Sequence, residues 1–173
     1  SGLLALNWAL TVRGRSAVTL GLHRHQIALA GTTTRQLPLD NVDEIGRALD
    51  ELAPALVIHA AGFTNIEVCE ADPALARAVN VDSAERVAAA CAARQLPFVH
   101  ISTDHLVRGD QALVDETVPV DPQNVYARTK ADAETRVLDA YPEALVVRTN
   151  FFAWGPPYRL SFSEQVVRSL RQG

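Results

Sequence analysis

Cysteine is scarce in this chain of 173 residues, with only Cys69 and Cys91 present. The pair shows no metal-ligand spacing and no disulfide framework, which fits two buried, inert thiols in a reducing cytoplasm. A basic stripe is also missing: the net charge is -4 and the Lys and Arg residues are dispersed. Nucleic acid is therefore not an expected partner. No long apolar run occurs either. Leu3 to Val12 is apolar, but it lacks a preceding basic segment and a small-residue cleavage site, and it is too short to span a membrane. What remains is ordinary globular composition, 48% hydrophobic and 21% charged. This predicts one soluble domain spanning 1–173.

The most informative stretch is Asn124-Val125-Tyr126-Ala127-Arg128-Thr129-Lys130. Residues four apart share a helical face, so Tyr126 and Lys130 place a phenol beside an ammonium. A phenol has an ordinary pKa of roughly 10, and a nearby cation lowers it toward the range of a usable proton donor. Taken alone, the pair reads more often as a solvated amphipathic face. Two upstream segments sharpen it. Leu96 to Asp104 reads as a buried strand ending in Ser102, Thr103 and Asp104, and Ala55 to Gly62 as another. The latter ends in Ala60, Ala61 and Gly62, small residues that admit a flat ligand to the backbone. In parallel α/β sheets, ligands sit beyond the carboxyl ends of strands.

Ser102-Thr103-Asp104, then Tyr126-x-x-x-Lys130, then Arg148-Thr149, resembles the extended short-chain dehydrogenase/reductase family. Gly62-Phe63-Thr64-Asn65, Cys69-Glu70-Ala71-Asp72 and Val79-Asn80 resemble its branch of dTDP-4-dehydrorhamnose reductases and their relatives. The resemblance implies a doubly wound, parallel, Rossmann-like α/β sheet binding NADP, with NAD left open. It places Gly2, Leu3 and Leu4 in the second half of a phosphate loop, and Leu39 at the adenine, with Pro38 where the family usually carries Asp. Lys130 would hold the nicotinamide ribose, and Phe151 would stand near the sugar. Asn80 becomes a support for the strand ends. The first strand, the first glycine of the loop and most of a C-terminal substrate domain are expected to be missing, so the chain reads as a fragment.

Local signals fill in the rest. Leu3 to Arg13 predicts a helix, and Ser16 to Leu22 an alternating strand. Arg24 follows, between two histidines and without an acidic neighbour. Arg at this strand tip accommodates a 2'-phosphate, which favours NADP; a solvated basic turn is the competing reading. Ile27 to Leu39 predicts a short strand, Val42 to Leu52 an amphipathic helix, and Phe63 to Asp72 a loop. Asp72-Pro73 opens an Ala-rich helix running to about Arg94. His59 reads as a hydrogen-bonded core histidine, and Glu134 as a partner for Lys130 or the backbone. Pro142 to Thr149 predicts the last strand, and Ser161 to Glu164 a capping box opening a helix through Leu170.

The expected chemistry is reduction of a 4-keto nucleotide sugar. Thr103 and Tyr126 would donate to the ketone oxygen as charge builds there, Tyr126 as the general acid, while Asp104 would orient a sugar hydroxyl. His105 follows Asp104 where nucleotide-sugar dehydratases resemble Thr-Asp-Glu, which argues for simple reduction. The alternative, from another class, is a non-catalytic NADP-binding regulatory subunit of the methionine adenosyltransferase beta type. A small-molecule nucleotide sugar is the expected partner, no membrane is expected, and a homodimer stays open.

Overall fold

The computed structural model describes residues 2–23, 26–110, 112–155 and 160–172. The fold is Rossmann-like α/β, and every strand pairing among the described residues is parallel. By its contacts the chain divides into two compact units, 1–37 with 150–173, and 38–149.

In the first unit, α1 (Leu3–Val12) precedes β1 (Thr19–Leu22), which pairs with β2 (Thr33–Gln36). Alternation along β1 buries Leu20 and Leu22 against Leu6 and Ala9 of α1, with Val18, Ile27 and Leu29 at the margin. The expected strand from Ile27 to Leu39 is thus confined to Thr33–Gln36. The last helix of this unit, α7 (Phe162–Gln172), opens on the predicted capping box. Ser161 Oγ accepts from Glu164 N at 3.2 Å, and Glu164 Oε2 accepts from Ser161 N at 2.8 Å and from Gly155 N at 2.7 Å.

The second unit holds a three-stranded sheet in the order β3 (Val57–His59), β4 (Phe98–Ile101), β5 (Leu145–Val147). Helix α2 (Val42–Leu52) is capped by Asn41, whose side chain accepts from Asp43 N and Glu44 N. Its apolar face buries Ile45 and Leu49 in a core shared with α5 (Ser83–Ala92), Phe98 of β4, and Ala133 and Val137 of α6 (Val125–Ala140). Arg94 ties the end of α5 back to α2 through Asp50, with Nε and Nη2 donating at 2.7 and 2.8 Å. Its guanidinium lies so close over Gly46 that a Cβ there would sit 2.5 Å from Nη2.

Two segments depart from the expectations. The loop expected from Phe63 to Asp72 contains a short helix, α3 (Ile66–Ala71), whose N-cap Asn65 accepts from Val68 N. The Ala-rich helix does begin at the predicted Asp72 cap with Pro73 in the first turn, but only α4 (Pro73–Arg77) is regular at that point. A π turn at Ala78–Asp82 then separates it from α5. Such wide turns frequently mark functional sites, and this one carries Asn80. No helix among the described residues is long and apolar enough to cross a membrane.

Candidate active site

The tyrosine helix α6 is fixed at its start by two side chains. Asn124 accepts from Ala127 N at 2.8 Å, and Glu70 reaches over from α3 to accept from Val125 N at 2.7 Å. A carboxylate there suits the positive end of the helix dipole. The anchored first turn half-buries Tyr126 beside Phe63 and the cluster of Cys69, Ala76 and Val125. Both cysteines are buried and free. Cys69 Sγ lies 3.5 Å from the Phe63 carbonyl, and burial followed by the Glu70 charge raises its pKa.

The end of β4 comes to the phenol from the other side. Thr103 is buried, and its hydroxyl lies near enough to the Tyr126 phenol to lower that group's pKa. Asp104 is exposed, with Oδ1 3.5 Å from Thr103 Oγ1. The His105 ring stands edge-on to Tyr126, with centroids 6.2 Å apart. Burial pushes the phenol above its ordinary value; the neighbouring Thr103 hydroxyl pulls it down, and Asp104 and then Cys69 push it up. The expected lowering by Lys130 does not arise here: its ammonium is engaged by Ile101 and His100, and desolvation sets the rise.

Lys130 is 4% exposed, and Nζ donates to the Ile101 carbonyl at 2.7 Å and lies 3.1 Å from His100 Nε2. Burial drives its pKa down to about 8, against an upward pull from Glu134. Glu134 is not the direct partner of Lys130. It is held by Arg148, whose Nη2 donates to Oε2 at 2.7 Å. Beneath the ammonium, His59 and His100 are cross-strand partners in the β3–β4 register, and their rings stack with centroids 5.5 Å apart. Burial and then Lys130 depress both, His59 to about 3 and His100 to about 2, so both rings are neutral near pH 7. His59 is a core residue as expected, but its Nε2 has no hydrogen-bond partner among the described residues.

Asn80 joins these parts. Its Oδ1 accepts from Phe63 N at 2.6 Å, and its Nδ2 donates to the Phe63 carbonyl at 3.1 Å and to Thr129 Oγ1 at 2.9 Å. Thr129 in turn donates to the Tyr126 carbonyl at 2.8 Å. One side-chain amide thus ties the segment after β3 to the tyrosine helix.

With this geometry, the sequence matches the family described as RmlD substrate binding domain over residues 14–172. The chain belongs to that family. Relatives of this RmlD-family chain include a probable low-salt glycan biosynthesis reductase of Haloferax volcanii, 30% identical over 152 residues, covering 87% of the chain and 51% of the relative. A dTDP-4-dehydrorhamnose reductase of Mycobacterium tuberculosis is 40% identical over 107 residues, covering 57% and 33%. Among solved structures, dTDP-4-dehydrorhamnose reductase from Bacillus anthracis in complex with NADP superposes with a TM-score of 0.73 at 25% identity, covering 82% of this chain and 51% of that one. The chain thus spans about half the length of the Haloferax relative and a third of the Mycobacterium one.

The other expected site residues of the RmlD-family chain fall in several places. Ala60 is half-buried and Ala61 and Gly62 are exposed, just past the carboxyl end of β3. Leu39 packs against the main core, and its carbonyl accepts from Arg86 at 3.5 Å. Gly2, Leu3 and Leu4 belong to the first unit, where the Gly2 carbonyl accepts from Leu6 N at 3.1 Å as α1 begins. Phe151 is also in that unit, half-buried, with its N–H donating to Asn150 Oδ1 at 2.9 Å. Arg24 lies outside the described residues. Sequence reasoning passed over His100, Glu70 and the partner of Arg148. A signal for the first was present: Val-Ile-His and Phe-Val-His pair residue for residue in neighbouring parallel strands.

Proposed function

We propose that the chain is the nucleotide-binding and catalytic part of an NADP(H)-dependent reductase acting on a 4-keto nucleotide sugar. The observation that carries this reading is the buried Thr103 hydroxyl beside the Tyr126 phenol at the carboxyl end of β4, with Lys130 one helical turn further on. Two hydroxyls converging on one point suit a ketone oxygen that gains negative charge, and donors of this kind contribute about 3 kcal/mol each. The names of the relatives point to the same chemistry.

A dinucleotide fits the residues present. Ala60, Ala61 and Gly62 leave the edge of the sheet open, and the buried Ser102 Oγ beside Thr103 has no partner among the described residues. Leu39, Ala60, Ala61, Gly62 and Lys130 would hold the cofactor, together with Gly2, Leu3, Leu4 and Arg24. When bound, NADPH supplies the hydride. Tyr126 delivers the proton to the resulting alkoxide, and its raised pKa keeps the phenol protonated at neutral pH. Thr103 orients the carbonyl, Asp104 a sugar hydroxyl, and Phe151 the sugar face. His105 stands where a dehydratase-type site would carry a carboxylate for elimination, so the reaction stops at the alcohol.

The test is NADPH consumption with a panel of dTDP-4-keto sugars, with the alcohol product identified by mass. Turnover on at least one sugar is the expected result. Tight NADPH binding without oxidation across the panel overturns the reading and leaves a non-catalytic nucleotide-binding subunit.

A further inference from the structure

Lys130 is the single lysine among the 16 Lys and Arg residues of the chain. It is also buried, with its ammonium between one backbone carbonyl and one imidazole. That imidazole, His100, is 0% exposed and stacks on His59, the residue opposite it in the neighbouring strand. His59 Nε2 and His100 Nδ1 have no hydrogen-bond partner among the described residues. Orphaned polar atoms are costly in a core, and an aliphatic pair would fill this volume without them. The one polar contact that distinguishes imidazole from such a filler is the contact with Lys130.

We propose that His100 is a positioning residue for Lys130: its Nε2, backed by the stacked His59 ring, accepts from the ammonium and, with the Ile101 carbonyl, fixes Nζ at the carboxyl edge of β4. An ammonium donates and cannot accept, so Nε2 carries no proton and the ring proton resides on Nδ1. The two acceptors engage two of the three N–H groups of Lys130. The third is left for a ligand hydroxyl. The other groups facing Lys130 agree with this arrangement. His59 is neutral on β3, Tyr126 is protonated one turn back, and Glu134 one turn on, which pulls the Lys130 pKa up, is bonded to Arg148 beyond β5 rather than to Nζ. The buried cluster carries one positive charge, on Lys130.

The consequence for turnover rests on the reductase reading, whereas the geometry does not, and the experiment separates the two. In the chain labelled with [ε-13C]lysine, Lys130 gives one side-chain resonance whose titration midpoint lies near the depressed value of about 8. His100→Leu removes an acceptor that favours the charged form, so the midpoint falls further, by about one pH unit. His100→Gln restores an acceptor at similar reach and returns the midpoint toward wild type. In 15N-histidine spectra of the wild type, His100 is the neutral Nδ1–H tautomer. If NADPH is oxidised, the alkaline limb of kcat/KM moves with the midpoint in each variant. A folded His100→Leu variant with an unmoved midpoint overturns the proposal. So does an Nε2–H tautomer in the wild type, which decides the matter even where the leucine variant fails to fold. Absence of reduction with every sugar removes the reductase reading and leaves both NMR results standing.

Discussion

Arg148 grips Glu134 through both carboxylate oxygens, with Nε 3.0 Å from Oε1 and Nη2 2.7 Å from Oε2. The pair joins the tyrosine helix to the chain leaving β5, and the Glu134 side chain is only 11% exposed. Removing one partner strands a charge in a largely dry setting. Glu134→Gln and Arg148→Met should each lower the unfolding free energy by about 2 kcal/mol, somewhat less than for a fully buried pair. Urea titration of both single variants and the double variant checks this, and the double variant should lose less than the sum of the singles.

Tyr126 and Lys130 should fail differently. Tyr126→Phe keeps the ring packed on Phe63 and Cys69 but deletes the proton. NADPH should bind nearly as in wild type while reduction falls by about 10²- to 10⁴-fold. Lys130→Met removes the charge near the cofactor, so kcat should fall and cofactor affinity should weaken together. Steady-state kinetics alongside equilibrium NADPH titration separates the two patterns. Wild-type turnover in Tyr126→Phe would return the pair to an ordinary helix face.

Asn80 is 1% exposed and makes three hydrogen bonds, two of them to the Phe63 backbone. Asn80→Leu keeps similar volume and leaves the Phe63 amide and carbonyl unsatisfied, a loss of about 3 kcal/mol. Asn80→Asp retains the acceptor but turns a buried carboxylate on the Phe63 carbonyl, so its loss should be at least as large at neutral pH and should shrink as the carboxyl is protonated. Chemical denaturation ranks the variants, and wild-type stability in both would show that Asn80 does not clamp this segment.

The stacked histidines make the fold acid-sensitive. Both have folded-state values far below the ordinary 6.5, so the unfolded chain binds more protons than the folded one as pH falls below that point. Stability present above about pH 6.5 is then lost on acidification, by up to roughly 2.7 kcal/mol per pH unit for two such groups. Thermal melts from pH 7 to pH 4 should show a steep fall in Tm. His59→Phe should roughly halve the slope, and a wild-type slope unchanged by that substitution would place the acid sensitivity elsewhere.

Arg24 carries the cofactor preference under the proposed function. A 2'-phosphate paired with its guanidinium corresponds to roughly tenfold or more in affinity. NADPH should bind more tightly than NADH, and Arg24→Ala should bring the two affinities together, as read by fluorescence titration. Equal affinities in the wild type would assign Arg24 to a solvated turn.

Features set by local chemistry were legible in the sequence. Ile45 and Leu49 lie on one face of α2, Asp72 caps α4, and Ser161 and Glu164 close their reciprocal box. The tyrosine helix could also be read from the spacing of Tyr126 and Lys130, whereas its Asn124 cap emerges only in the structure. Tertiary choices were harder to see. Glu134 has Lys130 one turn away on its own helix, yet it takes Arg148, which only the strand crossover brings near. The Lys130 ammonium reaches His100 and Ile101 on another element, and the rise in the Tyr126 pKa comes from burial, which a motif does not report. Helix α3 was missed because six residues capped by Asn65 offer too little periodicity to stand out from a loop.

The π turn at Ala78–Asp82 lets one helical run serve two interiors. Ahead of it, Ala76 packs with Cys69 and Val125 beneath Tyr126; beyond it, Ala84, Val87, Ala88 and Cys91 enter the main core. The wide turn sets the phase between those two halves. Adding or deleting one residue would rotate one half against the other by about 100°, turning either Ala76 or the α5 face away from its cluster. Side chains in this stretch can be exchanged at a cost that depends on their packing, whereas its length is held constant by both interiors at once.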